Sequence, residues 1–232
     1  MRTIFLLDVD NTLIDNDAAR EKLWSETDRV LGPVRSKRFW SVYEDVRNER
    51  GFVDFLETLA RYHAADASAS GDLDRAILDF PYVNYRYGDT LAVIASLWAA
   101  STVVVLSDGD PVFQPLKIAR AGITEAVRGN VLVFAHKEAH LDDLARLFPA
   151  ERYVAVDDKA EVLARIKMHW GPRVRTVHVL QGKYADDPYD GPRPDVVLTG
   201  IAELAVGRGR AAGASLFDDV MSAARQRERP GG

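Results

Sequence analysis

Asp8-Val9-Asp10-Asn11-Thr12, Ser107-Asp108-Gly109, His136-Lys137 and Asp157-Asp158-Lys159 are the places where this sequence gathers side chains able to do chemistry. Carboxylates with one residue between them, a hydroxyl beside a carboxylate, a lysine and an adjacent acidic pair are parts from which nucleophilic, acid–base and cation-assisted reactions are built. Each cluster alone has an ordinary reading. Asp8 to Thr12 could be an Asx-turn, Ser107-Asp108-Gly109 a simple turn, Lys137 a solvated lysine, and Asp157 or Asp158 the N-cap of a following helix. Together they mean more, because each follows a short apolar run. If Asp8, Asp10, Asp157 and Asp158 meet, their mutual repulsion is costly without a cation. That predicts a bound divalent metal. The chain has no cysteine, and no histidine lies within the carboxylate clusters, so oxygen ligands and Mg²⁺ are expected rather than zinc. His63, His136, His140, His169 and His178 show no metal spacing among themselves; His136 and His140 are four apart, but no Glu follows His136 directly.

The elements that must position these clusters alternate along the chain. Short apolar runs predict strands over Thr3 to Leu7, Val103 to Leu106, Val131 to Phe134, Tyr153 to Val156, Val174 to Leu180 and Val196 to Leu198. Helical patterns lie between them: Thr90 to Ala100 with Asp89 as N-cap, Phe113 to Ala121 before Gly122, the Leu141, Leu144, Ala145, Phe148 repeat, and Asp158 to Trp170 before Gly171-Pro172. Alternation of this kind predicts βαβ units and a Rossmann-like parallel sheet with helices on both faces. In such a sheet the carboxyl ends of the strands share one edge, where ligands bind.

One region breaks the alternation. Asp15 to Tyr87 contains no convincing strand, only helical faces such as Phe39, Trp40, Tyr43 and Val46, with Ala64 to Gly71 as a loop. The expected organisation is an α/β core of residues 1–14 and 88–232 and an inserted all-helical lobe of residues 15–87.

Composition narrows the field further. The 232 residues are 47% hydrophobic and 28% charged, which is enough apolar material for a packed core. A formal net charge of −5 disfavours a protein that neutralises nucleic-acid phosphates. Only four apolar residues, Ile4 to Leu7, precede Asp8, too few for a secretory signal. Thr90 to Ser107 is uncharged, but Ser101 divides it into an Ala/Leu-rich helix and a β-branched strand. No membrane span and a cytoplasmic location are expected. Gly207 to Gly213 has one residue too many for a dinucleotide loop, and the polar tail from Arg225 to Gly232 is expected to fray.

The clusters resemble the motifs of the haloacid dehalogenase-like hydrolases. Asp8-Val9-Asp10-Asn11-Thr12-Leu13 is similar to the first motif, Leu106-Ser107-Asp108-Gly109 to the second, and Asp157-Asp158 to the fourth; Lys137 stands for the third. The resemblance covers about residues 1–14 and 88–200. Lys137 lies in His-Lys-Glu, without the proline common after this lysine, and Lys117 competes for the role although it falls within a helical pattern. The resemblance implies a phosphatase acting on a small organic phosphate monoester. Asp8 would be the nucleophile and Asp10 the general acid and base, with Thr12 orienting Asp10. Ser107, Lys137 and the backbone at Asp108 would hold the phosphoryl group. The Mg²⁺ ligands would be Asp8, the Asp10 carbonyl, Asp158, and Asp157 directly or through water.

Asp10 bears on the reaction type, since dehalogenases of the family lack this second carboxylate. Phosphonate cleavage would need a special lysine in the inserted lobe, and nothing distinguishes Lys22 or Lys37. A sugar-phosphate mutase, or a phosphate-binding regulatory protein without turnover, would keep the same motifs. The lobe is rich in aromatics and arginines, among them Trp40, Tyr43, Arg47 and Tyr82, and would contact the leaving group. Tyr85 and Arg86, at the return to the core, are its expected hinge or substrate residues. Neither the substrate's identity nor the oligomeric state is written in these motifs.

Overall fold

A computed structural model describes residues 2–66, 71–99 and 101–205. The six strands are β1 (Thr3–Leu7), β2 (Thr102–Asp108), β3 (Val131–Phe134), β4 (Arg152–Asp157), β5 (Val174–Val179) and β6 (Val196–Leu198). They form one sheet in the order β3-β2-β1-β4-β5-β6, with every pairing parallel. β1 is central: Leu7 pairs with Val105 on one side and Val156 on the other. Alternating side chains explain its apolar run from Ile4 to Leu7. Phe5 and Leu7 join one hydrophobic cluster and Ile4 and Leu6 the other, so both faces are covered. The chain order reverses between β1 and β4, which opens a crevice at their carboxyl ends.

The helices are α1 (Asn16–Leu31), α2 (Pro33–Arg50), α3 (Phe55–Ala65), α4 (Gly71–Leu78), α5 (Thr90–Trp98), α6 (Phe113–Arg120), α7 (Ile123–Ala126), α8 (Leu141–Leu147) and α9 (Ala160–Trp170). Helices α1 to α4 all fall between β1 and β2. Asp15 caps α1 by accepting from Ala18 N at 2.9 Å, and Pro33 opens α2, where a missing N–H costs nothing. Gly51 closes α2 at φ 77°, and Asp54 caps α3 through Glu57 N at 2.8 Å. The helical block joins the core through rings: Phe55 of α3 lies 4.9 Å from Phe113 of α6.

Its two connections to the sheet run side by side. Asp15 N donates to Tyr85 O, Tyr87 N donates to Leu13 O, and Ile14 bridges antiparallel to Arg86. Asp89 makes no side-chain cap on α5. Thr90 Oγ1 instead donates to Leu13 O at 2.8 Å, tying that helix to the loop after β1. The tail of the expected helix at Ala100, residues 67–70 of the expected 64–71 loop, Gly207 to Gly213 and Arg225 to Gly232 lie outside the described residues, and Ala64, Ala65 and Gly71 belong to α3 and α4 rather than to a loop. Among the described residues no helix is long and apolar enough to cross a membrane.

Candidate active site

The loop after β1 is built by local chemistry. Asp8 N continues the ladder to Val156 O at 3.0 Å, and the chain then turns at Asn11, which sits at φ 60°. Asparagine tolerates this conformation better than most side chains. Its Oδ1 accepts from Asn16 N and Asp17 N, so one residue makes the turn and helps cap α1. The segment after β5 supports the loop from outside. Gln181 Nε2 donates to Asn11 O and Thr12 O, and Gly182, at φ 68°, lies so close that an added Cβ would stand 2.3 Å from Asn11 Cγ.

Asp8, at the end of β1, and Asp157 and Asp158, at the end of β4, meet across the crevice. Each offers a carboxylate oxygen, and these oxygens all lie within 4.8 Å of one another, a grouping that can hold a metal ion. All three residues are buried. Lys137 Nζ reaches in from the segment after β3 to 2.5 Å from Asp8 Oδ1 and 2.7 Å from Asp157 Oδ2. Asp108, at the end of β2, accepts from Lys137 N at 2.8 Å and fixes that backbone. Asp157 Oδ1 also accepts from Lys159 N, but both oxygens of Asp158 are buried without a hydrogen-bond partner. Orphaned carboxylate oxygens beside further carboxylates are what a hard divalent cation satisfies.

The electrostatics agree with that donor set. Burial, reinforced by Asp157 and Asp8, pushes the Asp158 carboxyl up to about 9. Burial also pushes Asp8 up to about 7, against the pull of Lys137. Lys137 rises well above the usual lysine range, because Asp157, Asp8 and Asp108 outweigh its own burial. Burial likewise opposes the charge of Lys159, but Asp8 and Asp157 prevail and raise it. The carboxylates crowd until protons are retained on some of them, the situation a bound cation relieves.

Asp10 stands apart from this group. Lys117 Nζ of α6 lies 2.5 Å from Asp10 Oδ1 and 2.6 Å from Asn16 Oδ1. Gln114 Nε2 reaches Asp10 Oδ2 at 3.4 Å and Ser107 Oγ at 3.0 Å, linking the first and second clusters. Thr12 does not take the orienting role expected of it. Its Oγ1 is buried without a hydrogen-bond partner, and Lys117 and Gln114 take the two oxygens of Asp10 instead. The two lysines therefore divide the site: Lys137 serves the Asp8 and Asp157 side, Lys117 the Asp10 side.

Two cavities adjoin Asp10. One, of about 300 Å³, opens to solvent among Arg47, Phe52, Gly109, His136, Lys159 and Tyr184. The other, of about 50 Å³, lies between the helical block and the core. Tyr85 and Arg86 line neither. Tyr85 stacks on Phe80, and Arg86 Nη1 donates to Ala121 O at 2.6 Å, so the structure places them at the connection between helical block and sheet. Tyr85 instead borders a larger cavity, of about 680 Å³, remote from the carboxylates, where Lys22 pairs with Glu26 and Arg75 with Asp72. Sequence reasoning missed Arg20, Gln114 and Gln181, polar residues outside any motif.

Six parallel strands with this order, and acidic side chains at the carboxyl ends of β1 and β4, define the class of fold. The sequence matches no protein-family model, and no curated protein matches it. Solved structures do match. A crystal structure from Burkholderia xenovorans LB400, described as a haloacid dehalogenase-like hydrolase, is 38% identical with a TM-score of 0.80, over 88% of this chain and 95% of that one. The chain belongs to the haloacid dehalogenase-like hydrolases. The fold is shared more distantly with L-2-haloacid dehalogenase from Xanthobacter autotrophicus with chloropropionic acid covalently bound (18% identity, TM-score 0.58, 91% of this chain and 100% of that one). It is also shared with the HAD-hydrolase YfnB from Bacillus subtilis bound to magnesium (13% identity, TM-score 0.56, 88% and 96%).

Proposed function

We propose that this hydrolase is a Mg²⁺-dependent phosphatase that cleaves a small, soluble organic phosphate monoester through an aspartyl-phosphate on Asp8. The observation that carries the reading is the separation of the two aspartates of the first cluster. Asp8 belongs to the buried carboxylate group, while Asp10 faces the cavities and is held by Lys117. A phosphate ester needs a nucleophile for phosphorus and a separate acid for the departing alkoxide; a halide leaving group needs no proton.

Asp8, Asp157 and Asp158, with the Asp10 carbonyl, would hold the Mg²⁺, as the orphaned oxygens of Asp158 favour. When bound, the cation supplies charge neutralisation that lets an anionic phosphoryl group approach an anionic carboxylate. Asp8 attacks phosphorus, and the bond to the ester oxygen breaks. Asp10 gives that oxygen its proton, then takes one from the water that hydrolyses the aspartyl-phosphate. Lys117 and Gln114 keep the Asp10 carboxyl in one orientation through both steps. The Ser107 hydroxyl, the Lys137 ammonium and the backbone N–H groups near Val9 and Asp108 hold the phosphoryl oxygens as charge shifts. The helical block of residues 15–87 acts as a cap that contacts the leaving group and excludes water.

Phosphate release from an aryl phosphate, measured with and without Mg²⁺, tests this reading. Chloride release from 2-chloropropionate is the control. Mg²⁺-dependent phosphate release without chloride release is expected. Chloride release alone would make the chain a dehalogenase, a product phosphorylated on another hydroxyl would make it a mutase, and no turnover across a panel of phosphate esters would leave a phosphate-binding protein.

A further inference from the structure

The cavity of about 50 Å³ beside Asp10 has polar groups in its walls, some paired with one another and some not. Asp10, Arg20, Tyr43, Phe55, Tyr82 and Lys117 are among its walls. Arg20, on α1, is half-buried and makes no hydrogen bond or ion pair among the described residues. Tyr43 and Tyr82 are 4% and 2% exposed, and neither hydroxyl has a hydrogen-bond partner among the described residues. Lys117 is already committed to Asp10 and Asn16, so the uncommitted cation of this cavity is Arg20. Its charge reaches the tyrosine: burial pushes the Tyr43 phenol up to about 12, and Arg47 and Arg20 act against that rise. Hydroxyls of buried tyrosines without a partner, in a cavity with an arginine that pairs with no carboxylate, are arranged for an acceptor that carries negative charge.

We propose that this cavity receives a carboxylate on the leaving group, with Arg20 as its counter-ion and Tyr43 and Tyr82 as hydroxyl donors, so that the substrate is the phosphate monoester of a short hydroxy acid. The inference rests on the phosphatase reading above. Asp10 must meet the ester oxygen, so the leaving group extends from that oxygen into one of the two cavities that Asp10 borders; only the smaller holds Arg20, Tyr43 and Tyr82. A guanidinium fork matches a carboxylate with two parallel hydrogen bonds. Size sets the chain length. A water-sized group needs ~10–15 Å³ of such space, so the cavity takes roughly three to five non-hydrogen atoms, a carboxylate on one or two carbons. A nucleoside, a hexose or an aryl group exceeds this cavity and has to occupy the larger one, of about 300 Å³, that Asp10 also borders. Phe55 and Phe113 cover the short carbon stem.

The test uses matched pairs of phosphate monoesters, those of glycolate and 3-hydroxypropionate against ethyl and n-propyl phosphate, in which a methyl group replaces the carboxylate. The purified full chain is expected to favour the acids by ~100-fold in kcat/KM, as sites built around a buried polar group do. Arg20→Gln is expected to bring that ratio below ~10, with Arg20→Lys in between. Calorimetry adds a readout independent of turnover: free 3-hydroxypropionate should bind the wild type and not Arg20→Gln, whose melting curve verifies that it is folded. Equal kcat/KM within each pair, or an Arg20→Gln variant that loses both classes in proportion, overturns the assignment of Arg20. If an aryl phosphate is hydrolysed but the acids are not preferred, this inference alone fails. If no phosphate ester is hydrolysed, the phosphatase reading fails and takes it along.

Discussion

Lys117 Nζ stands 2.5 Å from Asp10 Oδ1 although 107 positions separate the two residues in the chain. It is a buried lysine, 4% exposed, in the last turn of α6, and it also reaches Asn16 at the start of α1. One ammonium therefore ties together the loop after β1, the helical block and the core. If Asp10 is the proton carrier, Lys117 sets where that proton is delivered. Lys117→Met is expected to lower kcat for an aryl phosphate by ~10–100-fold with a smaller change in KM, because a misplaced acid is lost from the transition state more than from the ground state. Lys117→Arg should recover part of the loss. Steady-state kinetics on both variants checks this, and an unchanged kcat in Lys117→Met would remove the lysine from the account.

The loop that carries Asp8 and Asp10 depends on a close approach by Gly182. A methyl group there would meet the Asn11 side chain at 2.3 Å, in a backbone conformation that side chains avoid. Gly182→Ala is expected to destabilise the fold by ~2 kcal/mol and to lower the melting temperature by about 4–8 °C, with a fall in activity as the loop shifts. A melting curve superimposable on the wild type would show that the loop tolerates the displacement.

Protons held by the carboxylate group make cation binding depend on pH. Asp158 at about 9 and Asp8 at about 7 are both raised by burial above their ordinary values. A carboxyl raised in the folded state favours folding at low pH, below its unfolded value near ~4, and that contribution is lost as pH rises through the folded value. The cation-free protein should therefore lose stability from about pH 4 toward pH 9. Mg²⁺ binds the ionised form, so it should restore more at the upper end. The rise in melting temperature on adding Mg²⁺ is expected to be several degrees larger at ~pH 8.5 than at ~pH 6, and Asp158→Asn should flatten the difference. Equal rises at both pH values would argue against a cation among these carboxylates.

The parallel sheet was legible because its strands are short β-branched or Leu-rich runs, each ending in turn-forming polar residues, and period and length suffice to place them. The carboxylate group was legible for the same reason: topology alone brings the ends of β1 and β4 together. Thr12 was misread: its place in the motif suggested a hold on Asp10, but Lys117 and Gln114 take the two oxygens of that carboxylate. Lys117 stood out only as a competitor of Lys137, and Gln114 carried no signal beyond its place in a helical pattern. Arg20 and Gln181 stand in no motif. Their roles arise only when α6, α1 and the segment after β5 pack around the first loop, and no local pattern encodes that packing.

The central claim is that Asp8 takes up the phosphoryl group. Acid quenching during turnover of an aryl phosphate with Mg²⁺, followed by peptide mass mapping, measures this directly. One added phosphoryl group is expected on the peptide that contains Asp8, lost in Asp8→Asn together with at least ~10³-fold of the turnover. Continued turnover in Asp8→Asn, or phosphoryl label on a different residue, would contradict it.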